Sequence, residues 1–123
     1  MNIAPNSFKW INLFNHKGKE YLKLTFSGTI SKLECKEACE EWKRASDLNP
    51  EKKYHILINA LKMEDYEPMA RITFQNTVKE LKNKIEKIWL VTDSKLISTG
   101  ASVISLFTSL SIKSVHSEDE VFL

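Results

Sequence analysis

The sequence predicts an α/β fold, because short apolar runs typical of strands alternate with longer segments of helical periodicity. In the second half of the chain these runs are YHILINA (54–60) and IEKIWLVT (85–92), with a helical pattern between them. A crossover of this kind is what connects neighbouring parallel strands. Two further β-rich runs, 8–15 and 20–27, flank a loop at 16–19 and predict an antiparallel hairpin. We therefore expect a mixed sheet of about five strands, with an antiparallel N-terminal hairpin and about three main helices packed on it.

The helix boundaries follow from capping and turn residues. Ser31 with Glu34, and Ser117 with Glu120, have the spacing of capping boxes, and Pro68 suits the first turn of a helix. We expect a loop at 61–66 and a final helical turn after the fifth strand. The predicted strands are 8–15, 20–27, 54–60, 86–92 and 112–116, and the predicted helices are 31–48, 67–84 and 94–110.

The apolar stripes of the first two helices predict the core. Trp42 and Phe74 stand on these stripes and are expected to be buried on the sheet. Cys35 and Cys39 lie on the first stripe, four residues apart, which favours packed thiols. A redox or metal pair is the alternative, although no second Cys/His pair has zinc spacing.

The third helix has two faces of different character. One face has the spacing of a core stripe: Leu96, Gly100, Val103, Phe107 and Leu110. The other carries Ser98, Ser102, Ser105 and Ser109. Exposed helices normally carry Lys and Glu, so an uncharged outer face indicates contact with a protein partner or a second copy, coverage by the C-terminal tail, or else a plain exposed surface.

Composition excludes several classes of protein. The 123 residues, with 42% hydrophobic and 28% charged content, suit a single domain spanning 1–123. The 18 basic and 16 acidic residues are interspersed, which argues against nucleic-acid binding. Residues 96–112 carry no charge, but seven of these seventeen are Ser or Thr, so no transmembrane segment is expected. The start MNIAPNSFKW does not have the pattern of a signal peptide, and a cytoplasmic location is the expectation.

No motif indicates an enzyme. The chain has no GxSxG elbow, P-loop or HExxH sequence. His16, His55 and His116 are each interpreted as structural or surface histidines. We therefore expect no catalytic residue, no metal ligand and no cofactor.

Five segments in order carry a resemblance to a known family: FSGTISKLECKEACEEW, YHILINALKM, EPMARITFQNTVKEL, IEKIWLVTDSKL and IKSVHSEDEVF. Over nearly the whole chain, this arrangement resembles the SpoIIAA-like branch of the STAS superfamily. The shared pattern includes a glycine-threonine start before the first helix and Ala70-Arg71 early in the second. The resemblance implies helices packed on a mixed sheet, no catalytic activity, and a regulatory or protein-interaction role.

The sequence departs from the partner-switching members of that family at the third strand. There the family has an aspartate and then a phosphorylated serine, whereas this strand ends in Asn59 and residues 63–68 contain no Ser or Thr. A phosphoacceptor receiver domain needs an aspartate at the end of the third strand. The neutral Asn59 therefore excludes that class of protein. Asp65 and Glu67 place negative charge where a phosphoserine would add it, so they either mimic that state or cap the second helix. Tyr66 supplies the hydroxyl of this segment.

We expect a non-enzymatic interaction module that contacts its partner through the loop 62–68, the turn at 93–94 and the uncharged face of the third helix. Loops that follow parallel strands meet at the carboxyl edge of a sheet, where ligands usually bind. The candidate binding residues are Asn59, Lys62, Asp65, Tyr66, Glu67, Asp93, Ser94, Ser98, Ser102 and Ser105. The alternative is a carrier of a small apolar ligand, with Met69, Ile72 and Phe107 as cavity walls. That function would need a cavity on the order of several hundred Å³.

Overall fold

The structure, a computed structural model, describes residues 8–123. Within that range the chain forms one five-stranded mixed sheet and three α-helices, which confirms the predicted fold class. The strands are β1 (Ile11–His16), β2 (Lys19–Ile30), β3 (Tyr54–Tyr66), β4 (Ile85–Val91) and β5 (Ile112–Val115). The helices are α1 (Lys32–Leu48), α2 (Pro68–Glu80) and α3 (Lys95–Thr108), and 3-10 turns follow at Lys82–Lys84 and Glu118–Glu120.

The strand order places the helices on one side of the sheet. The strands lie side by side in chain order, with β1 antiparallel to β2 and the other pairs parallel. Successive right-handed crossovers between adjacent parallel strands put every connecting helix on the same face. The main core accordingly joins residues of all the helices to Leu22, Leu24, Ile56, Ile58 and Leu90 on alternate strand positions. We call the opposite side the open face, and the described residues include no α-helix there.

The two large aromatic side chains predicted for the core are confirmed. Trp42 of α1 is 1% exposed and Phe74 of α2 is 8% exposed. Their ring centroids lie 5.5 Å apart, so the two helices meet through this contact above the sheet. The capping box of Ser31 and Glu34 is also present, with both of its hydrogen bonds formed.

The predicted core stripe of α3 is wrong by about one residue. The buried positions are Ile97, Gly100, Ile104 and Thr108, whereas Leu96 and Phe107 are exposed. The helix has apolar residues on both of these faces, so periodicity alone did not select the face that packs on the sheet. It ends at Ser109, which has a positive φ of 60° and donates its backbone N–H to Ser105.

The loop predicted at 61–66, and with it most of the candidate loop 62–68, is wrong as secondary structure. β3 continues to Tyr66 and β2 continues to Ile30, and the two strands pair beyond the place where β4 stops. We call this two-stranded extension, residues 27–30 and 62–66, the arm. Two register shifts interrupt its pairing, and Gly28 lies between them with φ +70°, a conformation that glycine adopts without cost.

The first strand begins later than the predicted residue 8. The backbone N–H groups of Lys9 and Trp10 donate to the Glu41 carboxylate of α1, at 3.1 and 2.7 Å, instead of to a neighbouring strand. The hairpin itself is confirmed, with a two-residue turn at Lys17 and Gly18. Both turn residues have positive φ, the geometry that matches the twist of an antiparallel pair.

A C-terminal tail, residues 117–122, crosses the open face. It contains the predicted capping box of Ser117 and Glu120. Phe122 packs against the rings of Phe14, His16 and Tyr21. Together with Val121, these contacts form a second apolar cluster that also includes Leu57, Val91 and Val115.

Candidate functional site

The arm carries candidate residue Tyr66 onto α3. Tyr66 pairs with Ile30 of β2 at the tip of the arm. A Cβ atom placed on Gly100 would lie 2.5 Å from the Tyr66 hydroxyl oxygen and 3.0 Å from the ring carbon that bears it. Tyr66 therefore packs where α3 has no side chain. Lys62 and Asp65 are exposed on the same arm.

Glu67 holds the starts of two helices together. Its carboxylate accepts a hydrogen bond from the backbone N–H of Lys32, the first residue of α1, at 2.7 Å. Its own N–H donates to the carbonyl of Ile30 at 2.9 Å. Glu67 is the N-cap residue of α2, as the capping interpretation expected, but its side chain makes no cap hydrogen bond to that helix. The carboxylate acts on α1 because the arm brings both helix starts to one place. Asp65 accepts from the N–H of Tyr66 at 2.7 Å.

Asn59 and Asp93 lie with the tail instead of with the arm tip. Asn59 is half-buried and its side-chain amide donates to Glu118. Asp93 is exposed, with 2.9 Å between its Oδ1 and Nδ1 of His116. The structure thus divides the predicted site into the arm tip and a group near the tail, because Asn59 is the last residue of β3 that pairs with β4.

The electrostatics of the tail group centre on Glu118. Burial opposes its ionisation, but hydrogen bonds from Lys23 and Asn59 and the charge of Lys23 outweigh this effect and hold the pKa of Glu118 below its ordinary value. The Lys23–Glu118 ion pair joins β2 to the tail. Glu118 is therefore ionised at neutral pH.

Several hydroxyls of the candidate serines already form hydrogen bonds to the backbone of α3. Ser94 caps α3, with its hydroxyl accepting from the N–H of Ile97 at 3.2 Å. The Ser98 and Ser102 hydroxyls donate to α3 backbone carbonyls at 3.2 and 3.1 Å. Ser105 is half-buried. The serine face therefore offers fewer free donors than its sequence indicates.

The sequence interpretation missed the exposed apolar side chains of α3. Leu106 is 82% exposed and Phe107 is 62% exposed. The available signal was the absence of charge between 96 and 108, since a surface helix without charged residues has apolar side chains on its solvent side.

A second missed feature is repeated at the start of each helix. The second residue of α1, α2 and α3 is a large apolar side chain at the surface, namely Leu33, Met69 and Leu96, exposed by 70%, 46% and 49%. All three helices start after the carboxyl end of a parallel strand, which is the edge where such sheets usually bind ligands. The capping residues Ser31 and Ser94 could have indicated this, because a cap fixes which residues occupy the first turn.

An apolar cavity lies between α2, α3 and the sheet. Its volume is about 80 Å³, and Phe74, Ile104, Met63 and Tyr66 are among the side chains that line it. The carrier interpretation required several hundred Å³. A volume of about 80 Å³ holds only a few carbon atoms.

The cysteine pair is buried as predicted for packed thiols, each side chain being 3% exposed. The two sulfur atoms are 4.0 Å apart and Cys35 also hydrogen-bonds the carbonyl of Ala70. The hydrogen bond to Cys39 and burial raise the pKa of the Cys35 thiol. Within 8–123 no three His, Cys, Asp or Glu side chains group as metal ligands. No helix of this part of the chain is long and apolar enough to cross a bilayer.

Neither a protein family nor a curated protein matches the sequence. Among solved structures, the chain is similar to an uncharacterised protein of the DUF3478 family from Shewanella loihica PV-4, described as having a SpoIIAA-like fold. The likeness has a TM-score of 0.70 and covers 89% of this chain and 87% of that one, at 12% sequence identity. The chain has a SpoIIAA-like fold.

This confirms the resemblance drawn from the sequence at the level of the fold. In the SpoIIAA-like fold of this chain, the start of α2 carries Glu67, and its carboxylate is occupied by the backbone of α1. Function is not transferred by a likeness at 12% identity, so it has to be argued from the surface.

Proposed function

We propose that this SpoIIAA-like domain is a non-enzymatic protein-interaction module without a serine phospho-switch. Its contact surface is the carboxyl edge of the sheet: the arm tip with Lys62, Asp65, Tyr66 and Glu67, and the helix starts with Leu33 and Met69. The observation that carries the proposal is the exposure of a large apolar residue at the second position of every helix. Exposed apolar groups rimmed by polar residues are typical of protein-binding surfaces.

The charge at the start of α2 is permanent under this proposal. Glu67 keeps a carboxylate where partner-switching relatives acquire a phosphate, and that carboxylate links the starts of α1 and α2. A regulator built in this way is controlled by the presence of its partner and not by a kinase. The position in the cell that we infer for it is the cytoplasm.

A carrier of small apolar ligands is the competing function. It is less well supported, because the cavity under α2 and α3 measures about 80 Å³. A lipid-like ligand would require α2 and α3 to move apart. We therefore favour the interaction surface.

Capture experiments with matched charge variants test the proposal. The variant Leu33→Asp/Met69→Asp places two carboxylates on the carboxyl edge, and Leu48→Asp, at the opposite end of α1, is the control because Leu48 is 42% exposed. We expect the wild-type domain and the control to retain the same specific protein from a lysate of the source cells, and the double variant to lose it. Equal capture by all three, or capture of nothing specific by the wild-type domain, would reject the proposed surface.

A further inference from the structure

The last two strands carry a pair of lysines on the open face. Trp89 of β4 is half-buried, and two ammonium groups lie over its ring. Lys87 Nζ is 4.1 Å and Lys113 Nζ is 5.4 Å from the ring centroid. The register explains this grouping, because Lys113 is directly beside Trp89 on β5 and Lys87 is two residues earlier on the same face of β4.

These lysines differ in their partners from two other lysines of this region, of which Lys23 lies in β2 and Lys52 precedes β3. Lys23 pairs with Glu118 and Lys52 pairs with Glu20. In the described part of the chain no carboxylate lies within 4.0 Å of the Lys87 or Lys113 ammonium group. Two ammonium groups gathered at one ring repel each other, and an anion placed between them would be attracted by both.

Charged groups of both signs lie near Lys87. His55 is next to Lys87 in the sheet. Burial and the charge of Lys19 lower the pKa of His55, the charge of Lys87 adds to that effect, and Glu86 opposes it. Glu86 is the acidic residue of the groove beside β5 that also includes Lys87 and Lys113.

The same lysines stand at a free edge of the sheet. β5 is the last strand, so within 8–123 no strand pairs with its outer backbone groups. β4 also extends beyond β5, because β5 pairs only from Ile88 onward. An extended segment can add to such an edge through main-chain hydrogen bonds, and its alternate side chains then lie beside those of the edge strand.

We propose that the β5 edge, with Lys87 and Lys113, binds an extended acidic segment of a protein partner by strand addition. A glutamate or aspartate opposite Lys113 would lie within reach of both ammonium groups. A protein segment fits better than nucleic acid, because the tail continues from β5 with Glu118, Asp119 and Glu120. Nucleic acid binds along a long row of cationic side chains, so it would extend over this acidic stretch and be repelled by it. A short protein segment ends before the acidic residues. This edge is separate from the carboxyl-edge surface, and either could bind without the other.

A labelled peptide tests the proposal. The probe alternates Glu with Val and Thr over about eight residues, an ordinary strand length, and the control peptide has Gln for each Glu. We expect fluorescence polarisation to show binding of the Glu peptide that weakens with salt and weakens about tenfold in Lys87→Gln/Lys113→Gln. Lys36→Gln/Lys79→Gln removes two exposed lysines elsewhere and should leave binding unchanged. Amide hydrogen exchange should slow in β5 when the peptide binds.

Several results would overturn this inference. The first is that the Glu peptide does not bind, or binds no better than the Gln peptide. The second is that binding stays the same in Lys87→Gln/Lys113→Gln. The third is that amide hydrogen exchange in β5 does not change when the peptide is added. A single-stranded oligonucleotide of equal charge that binds more tightly than the peptide, and through the same lysines, would make nucleic acid the occupant. These measurements do not use the Leu33→Asp/Met69→Asp variant. A failure of the β5 edge proposal can therefore be distinguished from a failure of the proposed carboxyl-edge surface.

Discussion

Gly100 allows the ring of Tyr66 to lie against α3, because it has no Cβ. The arm packs against the helix at this position, and an alanine there would place its Cβ 2.5 Å from the tyrosine oxygen. Glycine inside a helix carries a cost of about 1 kcal/mol relative to alanine. The contact between arm and helix therefore uses a residue that local helix preference disfavours.

A double-mutant cycle measures this contact. In a Tyr66→Ala background, Gly100→Ala should stabilise the domain by about 1 kcal/mol, because only the helix preference remains. With Tyr66 present, the ring must move, and we expect the effect of Gly100→Ala to be about 1–2 kcal/mol less favourable. Urea unfolding of the four proteins gives both values. Identical effects in the two backgrounds would contradict the contact.

Trp42 is the largest side chain that is fully buried. Trp42→Ala removes its contact with Phe74 and leaves a cavity, so we expect a loss of about 3–5 kcal/mol in the free energy of unfolding. Lys79→Ala, at an exposed position of α2, is the control and should change stability by less than about 0.5 kcal/mol. A loss below about 1 kcal/mol for Trp42→Ala would show that this side chain is not part of the core.

At the scale of elements, the arm and α3 depart most from the sequence interpretation. Residues 62–66 have the polar composition of a loop, yet they pair with β2 as strand. α3 has two apolar faces, and the one that remains exposed includes Leu106 and Phe107. That face lies beside Ser102 and Ser105, so it is a candidate surface for a second copy of the chain.

Sedimentation tests whether α3 mediates self-association. Across a two-fold contact, Ser102→Lys/Ser105→Lys would place like charges opposite each other. We expect the wild-type protein to sediment as a species heavier than a monomer and the variant to sediment as a monomer. Asn76→Lys/Asn83→Lys adds the same charge at other exposed positions and is the control. A wild-type protein that is already monomeric removes self-association and leaves the arm tip as the contact surface.

At the scale of the whole molecule, the tail joins parts of the sheet that are distant along the chain. Glu118 contacts Lys23 of β2 and Asn59 of β3, and Phe122 reaches the first hairpin. The tail thereby packs on the open face in a cluster with residues from all five strands, Val91 and Val115 of the last two strands included. Lys87 and Lys113 lie on the same face of those last two strands.

The pH dependence of stability tests the attachment of the tail. The folded protein holds the pKa of Glu118 below its ordinary value, so ionised Glu118 stabilises the fold at pH values above the ordinary glutamate pKa. This contribution falls as the pH drops through the lowered pKa, where the folded protein also binds the proton. Glu118→Gln should therefore lower the melting temperature at neutral pH and should lose less stability than wild type between neutral and acidic pH. Parallel pH dependence of the two proteins would contradict the role of Glu118.

Local patterns predicted much of this fold because the interactions that form it are local. The capping box of Ser31 and Glu34 involves residues three apart, and the turn at Lys17 and Gly18 closes a hairpin of neighbouring strands. Alternation and helical spacing then indicated the crossovers, whereas the order of the strands in the sheet came from the structure. The sequence was enough to predict where the helices start, and therefore that the proposed surface lies at the carboxyl edge of the sheet.

The remaining features depend on residues that are far apart in the chain. The bond from Lys32 to Glu67 spans 35 positions and the bond from Asn59 to Glu118 spans 59. Lys87 and Lys113 look dispersed in the sequence and become neighbours only because β4 and β5 pair in register. Apart from the arm, the sequence alone determined which segments form strands and helices, since neighbouring residues decide this. The tertiary structure decided which face of α3 is buried, that the arm is strand, and which charges meet, because these depend on pairing and packing between distant segments.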